Sequence, residues 1–122
     1  MTPEAIRMLL EEKLAGAHDG RGVRRVSIDL DAADIQEGAS AALRAGRSRF
    51  MTIVAVDTGL DVELLYNFSV DGVLLTLRTS VAKEAGAIET ITGTAPAAEL
   101  VEKEIAELFG IQFVGHARRT NL

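Results

Sequence analysis

The sequence predicts an α+β fold: a two-layer sandwich, with a mostly antiparallel sheet of four to five strands and helices on one face. Three observations predict it. Asp71-Gly72 stands between two apolar strand patterns, and both residues accept the positive φ that a two-residue hairpin turn demands. Helical stripes occur in only three places, too few to cover both faces of a parallel sheet. The segments between them alternate apolar and polar residues, the period of half-buried strands. The expected order is α-β-α-β-β-β-β-α, followed by a C-terminal extended segment.

The first helix begins at Pro3, with Thr2 as its cap. Ile6, Leu9, Leu10 and Leu14 recur on one face, Arg7, Glu11, Glu12 and Lys13 cover the rest, and Gly16 is placed to end it. Residues 17–22 read as a loop. Val26, Ile28 and Leu30 then alternate with Arg25, Ser27 and Asp29 as a strand. Asp31 caps a second helix with Asp34 in its first turn; its stripe is Ile35, Ala39, Ala42 and Leu43, and Gly46 comes after it.

Residues 50–56 are a short, nearly continuous apolar run, the pattern of a central strand. After the turn Asp57-Thr58-Gly59, the residues Val62, Leu64, Tyr66, Phe68 and Val70 alternate with Glu63, Leu65, Asn67 and Ser69. The hairpin returns along residues 73–79. Residues 81–87 fit either a short helical turn or a loop, and 88–92 fit a short strand. Thr94-Ala95-Pro96 opens the last helix, with the stripe Val101, Ile105, Leu108 and Phe109 and a stop at Gly110. Residues 111–114 alternate weakly before a polar, basic tail.

The 122 residues form one domain, 1–122, with 110–122 as a C-terminal extended arm. Apolar residues make up 48% and charged residues 25%, the balance of a soluble globular protein. There is no Cys, which excludes disulfides, thiolate metal sites and thiol catalysis within the chain. A net charge of −5 disfavours general nucleic-acid binding, which needs a basic surface. The apolar runs fall well short of the roughly 20 residues that span a bilayer. The start Met1-Thr2-Pro3-Glu4 lacks the pattern of a secretory signal, so the expected location is cytoplasmic, with any membrane contact made only through partners.

Catalytic patterns are sparse. His18 and His116 lie in different loops, and no paired-histidine spacing occurs. Asp29/Asp31, Glu102/Glu104 and Glu11/Glu12 are carboxylate pairs of the kind that usually line solvated faces and turns. No nucleophile-elbow, dinucleotide or phosphate-loop pattern is present, and Gly20-Arg21-Gly22 precedes a strand rather than a helix. The last quarter stands out. A helix ends in Leu108-Phe109-Gly110, an extended Ile111-Gln112-Phe113 comes next, and the chain turns again at Gly115-His116.

In that stretch the sequence resembles the small hydrophilic C-type subunit family of respiratory NADH:quinone oxidoreductase (complex I). It is equally similar to the matching small subunit of energy-converting nickel–iron hydrogenases. The family signature is Glu-Arg-Glu, two residues, Asp, Leu or Met, then Phe-Gly-Ile-x-Phe-x-Gly-His-Pro and a basic pair. The chain supplies Glu102, Glu104, Leu108, Phe109, Gly110, Ile111, Phe113, Gly115 and His116 in register, and Arg118 and Arg119 resemble the basic pair. Upstream, residues 88–92 with Pro96-Ala97 after them resemble the family's strand-to-helix passage, so the likeness spans roughly residues 50–119. Lys103, Glu107, Leu100 and Ala117 depart from the pattern, standing for Arg, Asp, Trp and Pro. With its short continuation past the arm, the chain is expected to be of the compact hydrogenase type, or a divergent relative of it, rather than a respiratory subunit.

The resemblance implies a structural subunit without a cofactor or active site of its own. It implies docking on the large subunit that lines the quinone site or carries the nickel–iron centre, beside iron–sulfur subunits at the inner face of the cell membrane. It places the partner-binding residues at Glu102, Glu104, Phe109, Gly110, Ile111, Phe113, Gly115, His116, Arg118 and Arg119. Two other readings are open. One is a stand-alone or homo-oligomeric binding module with the same fold. The other is a small enzyme using His116 as general acid or base, assisted by Glu104.

Overall fold

A computed structural model describes residues 1–17 and 24–115. Helix α1 (Pro3–Ala17) starts where proline fits best, and Thr2 Oγ1 accepts the Ala5 N–H at 3.1 Å. It buries Ile6, Leu10 and Leu14. Gly16, expected to stop it, lies inside it, because Gly16 does not adopt the left-handed conformation that ends a helix. Strand β1 (Arg25–Asp29) comes next. Asp31 does not cap the second helix. It precedes a 3-10 turn over 32–34 and makes no capping hydrogen bond from its side chain; α2 (Ile35–Arg44) continues from that turn. Helix α2 lies close on the sheet at Gly38, where a Cβ would sit 2.6 Å from Leu30 Cδ1 and 3.1 Å from Leu77 Cδ1.

Strands β2 (Ser48–Asp57), β3 (Asp61–Val70) and β4 (Val73–Ala82) form an antiparallel meander. The Asp71-Gly72 turn has φ of 48° and 82°, the doubly positive geometry that a two-residue hairpin requires. Strand β1 adds parallel to β4, giving the order β1-β4-β3-β2. Along β3, Val62, Leu64, Tyr66, Phe68 and Val70 are buried under the helices, while Glu63, Leu65, Asn67 and Ser69 line the open face. The sandwich thus has two layers, with one sheet face covered.

Strand β2 is an edge strand, not the central one its apolar run predicts. Its register with β3 explains the run. Phe50, Ile53 and Ala55 stand opposite the buried Phe68, Tyr66 and Leu64, whereas Val54 and Val56 lie on the open face, 43% and 41% exposed. A bulge between Phe50 and Thr52 shifts the phase and leaves Met51 exposed. Apolar residues on both faces mimic a central strand in sequence.

The remaining elements form a smaller unit on the same core. The segment 81–87 is neither helix nor plain loop: β4 runs to Ala82, and a tight turn with Glu84 at φ 63° leads to β5 (Ala87–Glu89). A 3-10 turn over 96–98 opens α3 (Glu99–Phe109), and Gly110 caps it at φ 69°. Strand β6 (Gln112–Val114) then returns to pair with β5 in parallel.

Candidate docking site

The site builds outward from α3. Its buried stripe is not the predicted one. Ile105 is buried and Val101 and Phe109 are half-buried, but Leu108 is 78% exposed and Glu102 is fully buried. Helical phase explains the exchange, since Ala98, Glu102, Ile105 and Phe109 share the face that meets the core. A buried carboxylate is costly unless its oxygens are bonded. Glu102 Oε2 accepts the Ile91 N–H at 2.9 Å, and Oε1 accepts the Thr90 hydroxyl at 2.5 Å. Thr90 in turn donates its backbone N–H to the Val114 carbonyl at 2.9 Å. One side chain of α3 therefore ties together the segment after β5 and the last residue of β6.

Tyr66, on β3, lies near this carboxylate. Its hydroxyl is buried without a hydrogen-bond partner among the described residues, and burial, reinforced by the Glu102 charge, pushes its pKa well above the usual tyrosine range. The chain beyond α3 is bonded on both sides. Glu84 N–H donates to the Phe109 carbonyl at 3.2 Å and Gln112 N–H to the Gly86 carbonyl at 2.9 Å. Gly110 is held tightly there, since a Cβ would lie 3.1 Å from Glu84 Cα.

The predicted partner-binding residues therefore divide. Glu102, Ile111 and Phe113 pack inside the protein's own core. Phe109 is half-buried at the helix end, Gly110 is its cap, and Gly115, at φ 82°, turns the chain after β6. Glu104 is exposed. His116, Arg118 and Arg119 lie outside the described residues, as does His18, so the proposed pairing of His116 with Glu104 has no geometry. What the reading by residue type missed is an apolar group on the outside. Leu100 and Leu108 are 67% and 78% exposed, two turns apart on the face that carries Glu104, and Val114 is exposed beside Gly115. Among the described residues, no three His, Cys, Asp or Glu side chains converge as a metal site, and no helix is long and apolar enough to cross a membrane.

Fold and site together define a small α+β domain whose C-terminal helix is fastened from inside and presents leucines outside. The family of the 30 kDa subunit of respiratory-chain NADH dehydrogenase matches residues 28–122, and the chain belongs to that family. It is thus a respiratory subunit of the complex I type. Two solved structures share the fold. One is a chain of the membrane-bound sulfane sulfur reductase, an archaeal respiratory membrane complex, with a TM-score of 0.75 at 21% identity, covering 91% of this chain and 71% of that one. The other is a trypsin-resistant fragment of Nqo5, with a TM-score of 0.67 at 24% identity, covering 88% and 96%. A search of curated proteins finds no match.

Proposed function

We propose that the chain is a non-catalytic structural subunit of a complex I-related, membrane-associated oxidoreductase. It docks on the large subunit that lines the quinone site or carries the nickel–iron centre, with iron–sulfur subunits of the same complex nearby. It holds no cofactor and reaches the inner face of the cell membrane only through these partners. The observation that carries the reading is the pair of exposed leucines, Leu100 and Leu108, on one face of α3. Large apolar side chains grouped on a surface mark an interface, and a rim of Glu104, Lys103 and Glu107 around them supplies polar contacts. Phe109 backs this surface, while His116, Arg118 and Arg119 meet carboxylates on the partner. Glu102, Ile111 and Phe113 contribute from within, by fixing α3 and β6. Family membership over residues 28–122 supports the assignment to such a complex.

The test is a tagged pull-down from mildly solubilised host membranes, with mass spectrometry of the proteins recovered. The unaltered chain should bring a large subunit and iron–sulfur subunits, and a Leu100→Glu/Leu108→Glu variant should lose them while remaining folded. Recovery of the chain alone, in monomeric or homo-oligomeric form, overturns the proposal in favour of a stand-alone module.

A further inference from the structure

On the other side of the molecule, three exposed arginines stand together without an ion-pair partner among the described residues. Three of the other cations are held. Arg78 holds Asp29 with two bonds of 2.7 and 3.2 Å, Lys83 holds Asp57 at 2.8 Å, and Arg7 lies 4.0 Å from both Glu4 and Glu11. Arg25, Arg47 and Arg49 are exposed, and none forms an ion pair among the described residues. They gather at one end of the sheet. Arg49 stands opposite Ser69, Ser69 opposite Leu74, and Leu74 opposite Arg25, so one row crosses the open face. Three strand spacings separate its two ends, about 14 Å. Arg47 and Arg49 also line a shallow depression of about 660 Å³ with Ser48, Ser69, Asp71 and Gly72. Asp71 lines the same depression with its Oδ1 accepting the Arg47 backbone N–H at 2.9 Å, and it forms no ion pair among the described residues. The Ser48 Oγ is buried with no hydrogen-bond partner among the described residues.

Apolar groups accompany this charge. Leu74 is half-buried between the two ends of the row, and the β2 bulge turns Met51 outward. Val54, Val56 and half-buried Leu65 continue along the same face. We propose that this face is a second docking surface, distinct from the α3 site, and that its occupant is an acidic polypeptide segment. Arg25 and Arg49 receive its carboxylates, and its apolar residues cover Leu74 and the Val54–Leu65 pair. Nucleic acid fits poorly. Phe50, Phe68 and Tyr66 stand on the covered side, so the face offers no ring for base stacking. Glu63 and Asp29 lie toward the other end of the face, where Arg78 holds Asp29, and an anionic bilayer is the rival occupant that the test separates.

The test is fluorescence anisotropy with the full chain and a labelled peptide of alternating glutamate and valine. Anionic phosphatidylglycerol vesicles and single-stranded RNA serve as rival probes. The peptide should bind in low salt, and its affinity should fall about tenfold or more in the Arg25→Glu/Arg49→Glu variant, as expected on reversing two charge-assisted contacts. Arg7→Glu and Leu100→Glu/Leu108→Glu should leave peptide binding unchanged, which separates this surface from the α3 site. The inference is overturned if the glutamate peptide does not bind, if a serine–valine peptide binds equally well, or if Arg7→Glu weakens binding as much as the double variant. It is also overturned if only vesicles or RNA respond to the loss of Arg25 and Arg49.

Discussion

The β2–β3–β4 meander and the β5–β6 pair reach one common core by different routes. In the meander, each strand pairs with its neighbour in sequence through a short turn, along ten-residue strands. Its stability rests on apolar burial, with Tyr66, Phe68, Leu64 and Leu75 fully covered. The β5–β6 pair joins two three-residue strands across the whole of α3, in parallel. So short a ladder holds little by itself. It depends on Ile88 and Phe113 from the core and on the bonded carboxylate of Glu102. Local pairing thus tolerates weak specificity, whereas a pair closed over a long loop needs a directional fastener.

Substitutions should separate the two regimes. The largest effect is expected at Phe68, fully buried and edge-on to Phe50 with ring centroids 5.8 Å apart. Phe68→Ala should cost about 3–5 kcal/mol in urea unfolding, with hydrogen exchange faster throughout both sheets. Glu102→Ala leaves the Ile91 N–H and the Thr90 hydroxyl without their acceptor and should cost about 2–4 kcal/mol. Its signature is local: exchange should quicken at the amides of β6 and of residues 90–91 before it does in β3. Uniform loosening across the meander would erase the difference between the two regions.

Smaller effects sharpen the picture. Gly110→Ala forces a side chain into a left-handed position against Glu84 and should cost about 1–2 kcal/mol, again felt first in β6. Tyr66→Phe removes a buried hydroxyl that has no partner among the described residues, and removing an unsatisfied group beside a carboxylate should be neutral or stabilise by up to about 1 kcal/mol. A clear loss in thermal unfolding would show that this hydroxyl is bonded after all.

Legibility divided along the same line. The hairpin could be read because Asp71-Gly72 satisfies a backbone requirement that few dipeptides meet, and the alternation of β3 states its own buried face. The edge position of β2 could not, because placement in a sheet is decided by which strands pair, and Val54 and Val56 look alike whether covered or open. The β5–β6 pairing is nonlocal, and three-residue segments carry no period to detect. At the candidate docking site, residue type misled where helical phase would have served: Glu102 lies in step with Ala98 and Ile105, and Leu108 does not. The motif from Phe109 to His116 pointed to the right family, yet its apolar members Ile111 and Phe113 serve this domain's own interior.

The parallel β5–β6 arrangement also has a mechanical side. Tension applied at Val114, the last residue of β6, runs along that strand rather than across it. The bonds to β5 then share the load in shear instead of opening singly, and the Val114 carbonyl passes part of it through Thr90 to Glu102 and the axis of α3. A load on the end of β6 therefore reaches the helix.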